Sequence, residues 1–375
     1  MTDVALVEWA PLLKLLALAL LLAMGPLGWL YWRHRGRSPV VFMALLVGLT
    51  LFLTFDLVVF GAFTRLSDSG LGCPDWPGCY GTVSPWAAAE PITQAQAQLP
   101  TGPVTHTKAW IEMVHRYAAM VVGAWIVVQV ALSWRWRKHL KPGLFLPMFT
   151  LFWVCLQGAF GAWTVTMKLQ PVIVTAHLLG GMTLLALLQW HRVQLTATWR
   201  ASYEPAPYKR LAWLVFALLY VQMALGGWVS TNYAVLACQD FPTCQGQWWP
   251  AMNFSAGFEW WRPLGQDGQG TAIPFEALTA IHYTHRLMAY LVLALAIWVG
   301  MRLREVPDYR AAGYFLWFLA AWQLATGVSN VVFNWPLLAA VSHTGGAAGF
   351  VLVLTGVLVR ARFLKTSSTF KAIQS

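Results

Sequence analysis

Residues 112–116 read Glu-Met-Val-His-Arg and open an apolar run from Ala118 to Leu132. An acid, an imidazole and a guanidinium at the mouth of a membrane helix are costly to hold, and by default they mark function. Glu112 and His115 are three residues apart, so on a helix they share one face. The stretch His282-Tyr283-Thr284-His285-Arg286 repeats the pattern before another apolar run. The copies agree at His-Arg and differ where Glu112 becomes His282. The agreement points to a binding task shared by two halves, and the difference to chemistry in one of them.

Two more histidines follow the same rule. His177 lies in Ala176-His177-Leu178-Leu179-Gly180-Gly181, and His343 in Ser342-His343-Thr344-Gly345-Gly346. A lone histidine on an apolar face is more often a hydrogen-bonded core residue than a ligand. Two matched pairs at one depth, His115/His177 and His285/His343, reverse that expectation. Two imidazoles on facing helices make an axial pair for haem iron, whereas zinc wants more ligands, commonly from Cys or carboxylate. Gly180, Gly181, Gly345 and Gly346 would let a flat macrocycle approach the backbone, or would serve close helix packing. Arg116 and Arg286 suit haem propionates, or snorkel to the interface. Glu112, one turn from a ligand, can accept a proton or stabilise positive charge; the bland alternative pairs it with Arg116 or Arg65. Asp56, inside an apolar run, suits a proton path or a ligand contact. His34, His106, His139 and His191 lie in or beside loops and read as solvated.

The elements that must position these groups are membrane helices. The 375 residues are 58% hydrophobic and 10% charged, where a soluble domain carries about 25% charged residues. Windows of about 20 apolar residues fall near 11–32, 40–63, 109–133, 144–165, 173–195, 210–231, 278–301, 312–332 and 338–360. The first is too long for a signal-peptide core and lacks a clear cleavage site, so it reads as a retained helix. One alternate set of loops and flanking ends carries 18 Lys/Arg. The other carries only Arg65, Lys108, Lys168 and Arg262. The positive-inside rule places the first set and the C-terminus in the cytoplasm and the N-terminus outside. The net charge of +11 then follows from topology, and no nucleic acid is expected.

The two long outer loops carry Cys73-Pro-Asp-Trp-Pro-Gly-Cys79 and Cys238-Gln-Asp-Phe-Pro-Thr-Cys244. In an oxidising compartment each pair reads as a small disulfide loop, with redox-active thiols or a metal site as the rival. Cys155, inside a helix, reads as a small core residue. These cysteines expose a duplication: 238 − 73 and 244 − 79 both give 165, as does 226 − 61 for Gly61 and Gly226. The differences 323 − 157 for Gln157 and Gln323, and 343 − 177 for the second histidines, give 166; 285 − 115 gives 170. The expected fold is an all-α polytopic membrane protein. It has an extra helix in 1–35 and two parallel four-helix units, 40–200 and 210–365, related by an axis along the membrane normal.

The arrangement resembles the haem A synthase family. The match is carried by Gly61-Ala62-Phe63-Thr64-Arg65 running into Ser69-Gly70-Leu71-Gly72-Cys73, by Glu112 to Arg116, by the paired cysteine loops and by the four histidines. It covers about residues 40–362; the family has eight helices, so the first span is a departure. The resemblance implies oxidation of the C8 methyl of haem O to a formyl group by two hydroxylations. It implies haem b as cofactor on His285 and His343, with Arg286 beside them. Substrate haem then falls to His115, His177, Arg65 and Arg116, with Glu112 as the catalytic acid. It also links the Cys73–Cys79 loop to activity. Expected partners are haem O, membrane lipid, a haem O synthase and terminal-oxidase assembly factors, in the bacterial inner membrane; a homo-oligomer fits this reading. A di-haem electron carrier or quinol-oxidising subunit explains the histidines without Glu112. A transporter is the weakest rival, because the polar groups sit near one surface.

Overall fold

The computed structural model describes residues 9–140, 143–196, 209–266 and 270–372. The loop residues 141–142 and 197–208, and the segments 1–8, 267–269 and 373–375, lie outside the described residues. The described chain is helical: α1 (Trp9–His34), α2 (Pro39–Leu66), α3 (Ala89–Gln98), α4 (His106–Arg135), α5 (Phe145–Thr166), α6 (Pro171–Thr196), α7 (Lys209–Thr231), α8 (Phe254–Gly257), α9 (Phe275–Arg304), α10 (Arg310–Val332) and α11 (Leu337–Ala372). Nine of these, all but α3 and α8, contain stretches long and apolar enough to span a membrane. The protein is a multi-pass membrane protein. The short α3 and α8 were not expected from the apolar windows, since neither is apolar enough to register there.

Local chemistry sets where the spans begin. Ser38 caps α2, its hydroxyl accepting from Val41 N–H at 3.4 Å, with Pro39 in the first turn. Pro suits that turn because its missing N–H has no helical partner there. Thr105 caps α4, accepting from Lys108 N–H at 3.2 Å. Such caps satisfy backbone donors that the helix leaves free, and the second fixes how deep Glu112 and His115 enter the span.

The helices pack as two rings. In the first, α2 packs on α4, α4 on α5, α5 on α6 and α6 on α2. In the second, α7 packs on α9, α9 on α10, α10 on α11 and α11 on α7. The rings meet through α6 on α7, α11 on α2 and α6 on α11, and one buried apolar core runs through both. α1 lies outside them against α4 and α2, tied by Trp125 Nε1 donating to Ala23 O at 3.2 Å. Two expectations fail here. Cys155 is exposed on the outer face of its ring; a lipid-facing surface asks only for an apolar side chain. His191 is 2% exposed, because α6 stands between both rings up to its end.

Both cysteine pairs are disulfides, with Cα–Cα separations of 5.0 Å for Cys73–Cys79 and 4.8 Å for Cys238–Cys244. The loops are built alike. Cys79 bridges to Thr82 and Cys244 to Gln247, and Tyr80 and Gln245 both adopt positive φ, 51° and 56°. An acid closes each turn. Asp75 accepts from Tyr80 and Gly81 N–H at 2.6 and 2.7 Å, and Asp240 from Gln245 and Gly246 N–H at 2.6 and 3.0 Å. The Thr243 hydroxyl, more than the backbone donors, holds the Asp240 carboxyl below its usual 3.8. A depressed native pKa stabilises fully above the unfolded value and is lost as pH falls through the native one. Asp240→Ala should therefore speed hydrogen exchange at Gln245 and Gly246 at neutral pH. The wild-type loop should show the same loss of protection only on acidification below about pH 4.

Candidate functional site

The four matched histidines occupy one diagonal of each ring. His115 is on α4 and His177 on α6, opposite corners of the first ring; His285 on α9 and His343 on α11 repeat this in the second. Glycines fill the other diagonal. A Cβ on Gly61 of α2 would lie 2.9 Å from His115 Cε1, and one on Gly226 of α7 would lie 3.0 Å from His285 Cε1. Gly161 of α5 and Gly327 of α10 stand likewise against His177 and His343, at 3.6 and 3.5 Å. Each imidazole thus rests where a neighbouring helix has no side chain. Phe60 also stacks on His115, with ring centroids 6.2 Å apart. His115 and His177 lie within electrostatic reach of each other, as do His285 and His343. Among the described residues no group of three or more His, Cys, Asp or Glu could hold a bare metal ion. Two imidazoles per ring, with glycine faces beside them, fit the axial ligation of a haem.

Of the two tasks expected of them, Gly180 and Gly346 take close packing. A Cβ at either would run into Gln157 or Gln323, so these glycines serve side-chain packing between helices and not a macrocycle. Arg116 and Arg286 also turn elsewhere. Arg116 Nη1 donates to the carbonyls of Asp75, Pro77 and Gly78 at 3.0, 3.3 and 2.5 Å. Arg286 Nη1 donates to those of Asp240, Pro242 and Thr243 at 3.1, 3.4 and 2.6 Å. Each guanidinium pins the disulfide loop of its own ring over the histidine beside it. Carbonyl oxygens packed inside a tight loop need donors, and a planar guanidinium supplies several in one plane.

The profile of the COX15-CtaA family, described as a cytochrome oxidase assembly protein, matches residues 44–355. That span holds all four histidines, both glycine diagonals and both disulfide loops. The chain belongs to this family. The haem A synthase of Shewanella oneidensis is 37% identical over 315 residues, covering 83% of this chain and 94% of that protein. Haem A synthases of Chelativorans and Halalkalibacterium halodurans are 30% and 28% identical, over 77% and 76% of this chain and 82% and 85% of theirs. The family match begins inside α2, so α1 stands outside it.

Within this COX15-CtaA chain the two sites differ in three ways. Glu112, 4% exposed, forms an ion pair with Arg116 Nη2 and accepts from Cys73 N–H at 2.8 Å. Its counterpart His282 instead contacts Ala234 O through Nδ1 at 3.1 Å, and Arg286 Nη2 is left buried without a partner. In the second ring His343 Nδ1 lies 2.8 Å from Thr326 Oγ1, whose proton goes to Trp322 O at 2.8 Å. Thr326 therefore accepts from His343, leaving Nε2 unprotonated and able to bind a metal. Gln222 Nε2 lies 3.1 Å from His285 Nδ1 and donates to His285 O at 3.2 Å, so the amide clasps both the ring and the backbone of that residue. In the first ring both His115 Nδ1 and His177 Nδ1 are buried without partners. Leu57 and Phe160 occupy the positions of Gln222 and Thr326, since 222 − 57 is 165 and 326 − 160 is 166. Those two positions are readable only once the repeat is aligned, and they were missed in the sequence.

Arg65 reaches neither Glu112 nor the histidines. It donates to Ser230 O at 2.7 Å and to the Tyr233 hydroxyl at 3.2 Å, and pairs with Asp68 at 3.2 Å. Arg116→Ala should strip Glu112 and three carbonyls of their donor. The expected loss is about 3–5 kcal/mol, seen as a lower thermal midpoint in detergent. Glu112→Gln keeps an acceptor for Cys73 N–H and should cost clearly less.

Proposed function

We propose that this protein is a haem A synthase, oxidising the C8 methyl of haem O to the formyl of haem A. The observation that carries the reading is the inequality of two like-built histidine sites. The second is fitted to hold a ring permanently, because both imidazoles have partners at Nδ1. Such outer hydrogen bonds fix the tautomer and orientation of a ligand. The first has imidazoles without these partners and a buried carboxylate one turn from His115, which suits a ring that enters, reacts and leaves.

His285 and His343 would hold haem b, which supplies one-electron transfer when bound. His115 and His177 bind and orient haem O in the first ring. Gly61 and Gly161 let those imidazoles stand close to their helices. Glu112 accepts a proton from the reacting centre or offsets positive charge developing there. Arg116 holds Glu112 aimed, and the Cys73–Cys79 loop covers both from water. Two hydroxylations, each adding the oxygen of one water and releasing two protons and two electrons to an external electron acceptor, would give a gem-diol, which loses water to leave the formyl group. The Lys/Arg distribution favours disulfide loops outside a bacterial inner membrane. A haem O synthase and terminal-oxidase assembly factors are fitting neighbours.

Expression alongside a source of haem O, with mass analysis of the extracted haems, tests the activity: haem A should accumulate. Glu112→Gln should retain haem b and lower conversion of haem O by about 10²–10⁴-fold. A di-haem carrier would instead leave haem content and electron transfer unchanged in that variant. His285→Ala and His343→Ala should abolish haem b. Thr326→Val, which keeps shape but loses the acceptor, should weaken haem b retention by about 10–100-fold and shift its reduction potential.

A further inference from the structure

Asp56 lies well inside α2, a helix running from Pro39 to Leu66. Its side chain is exposed, and among the described residues it has no hydrogen-bond or ion-pair partner. A carboxylate there is costly unless something uses it. It borders an open cavity of about 510 Å³ between α2, α4 and α11, whose other walls are all apolar, among them Leu53, Leu57, Phe60, Val114 and Val341. The cavity adjoins the first histidine site: Phe60 stacks on His115, and Val114 precedes it in the chain. Asp56 is five residues along α2 from Gly61, where His115 rests, so it sits about 7.5 Å further along the helix axis. The second ring has Val221 at the matching position (221 − 165 = 56) and no acid.

An apolar chamber with one acceptor suits a ligand that is a hydrocarbon chain carrying one hydroxyl. Haem O differs from haem b in this way: a farnesyl chain joins its porphyrin through a hydroxyl-bearing carbon. We propose that the cavity between α2, α4 and α11 holds the prenyl chain of the substrate, and that Asp56 accepts a hydrogen bond from its hydroxyl. This rests on the assignment of haem O to His115 and His177. The chain arrives from the lipid, where the cavity opens between helices, while the porphyrin seats on the histidines. A haem without the chain forgoes that hydrogen bond, so Asp56 adds affinity for haem O alone. The single acid thus explains how the first site distinguishes its substrate from haem b.

The test is titration of purified protein, its second site filled with haem b, using haem O and haem b as separate probes. Asp56→Leu should weaken haem O binding by about tenfold or more, the loss of a hydrogen bond to a charged group, and leave haem b binding unchanged. Asp56→Asn, which can still accept, should fall between. Equal weakening of both probes, or of neither, overturns the proposal. So does an Asp56→Leu protein that binds haem O normally but turns over slowly, which would assign Asp56 to proton movement. The parent assignment fails separately: wild-type-like haem O binding after His115→Ala and His177→Ala would remove haem O from this ring whatever Asp56 does.

Discussion

Everything near the site depends on one fastening: a guanidinium driven into the carbonyls of a disulfide-closed loop from the residue after a histidine. Arg116 and Arg286 each give one nitrogen to three carbonyls. The disulfide and the loop's own acid, Asp75 or Asp240, shape the loop so that its carbonyls converge. Because His115 and His285 immediately precede these arginines, the loop cannot shift without moving the histidine's helical turn. In the first ring the same guanidinium also holds Glu112, and the acid in turn accepts from Cys73 N–H. Disulfide, acid and histidine form one mechanical unit there. In the second ring the acid is missing, and the orphaned Nη2 of Arg286 records its absence.

That asymmetry gives duplicated scaffolds different tasks. A ligand imidazole with a partner at Nδ1 has one tautomer and one orientation, and it binds strongly and slowly. One without such a partner is freer to give up its ligand. Thr326 and Gln222 supply partners in the second ring, and Phe160 and Leu57 withhold them in the first. On the proposed reading, the exchange of two polar side chains for two apolar ones would separate a retained group from a passing one.

The fold was legible because membrane helices announce themselves by length and composition, and because a repeat of 165–166 residues aligned cysteines, glycines and histidines at once. Both disulfides followed from the cysteine spacing in loops placed outside the membrane, and the histidine pairing from the repeat those cysteines exposed. The sequence reading failed where the answer depends on which way a side chain turns. Arg116 and Arg286 look outward-facing by position, yet loop carbonyls that appear only after folding draw them in. Gly180 and Gly346 read equally as room for a ring or as close packing, and only the fold shows Gln157 and Gln323 in the space their absent side chains leave. His191 looked solvated at a helix end; only the packing of α6 between rings shows it buried. Cys155 fails in the opposite direction, since an apolar helix has no signal for which face meets lipid.

The seam between rings argues against reading the halves as independent domains. Arg65, at the end of α2, bonds to Ser230 O and the Tyr233 hydroxyl at the end of α7, and that hydroxyl donates to Asp68 at 2.6 Å. Gly227 brings α7 onto α6, where an added Cβ would lie 3.1 Å from Thr175 Cγ2. Val341, two residues before the second-ring ligand His343, lines the cavity that adjoins His115. The wall of the cavity beside the first histidine pair is thus partly built from the helix that carries a histidine of the second. Coupling between sites needs a shared rigid element, and α11 is one: it packs on α2 of the first ring while presenting His343 to the second. Any electron passing between the two rings crosses this same seam, so the packing that joins the halves also sets how far apart their reactive centres stand.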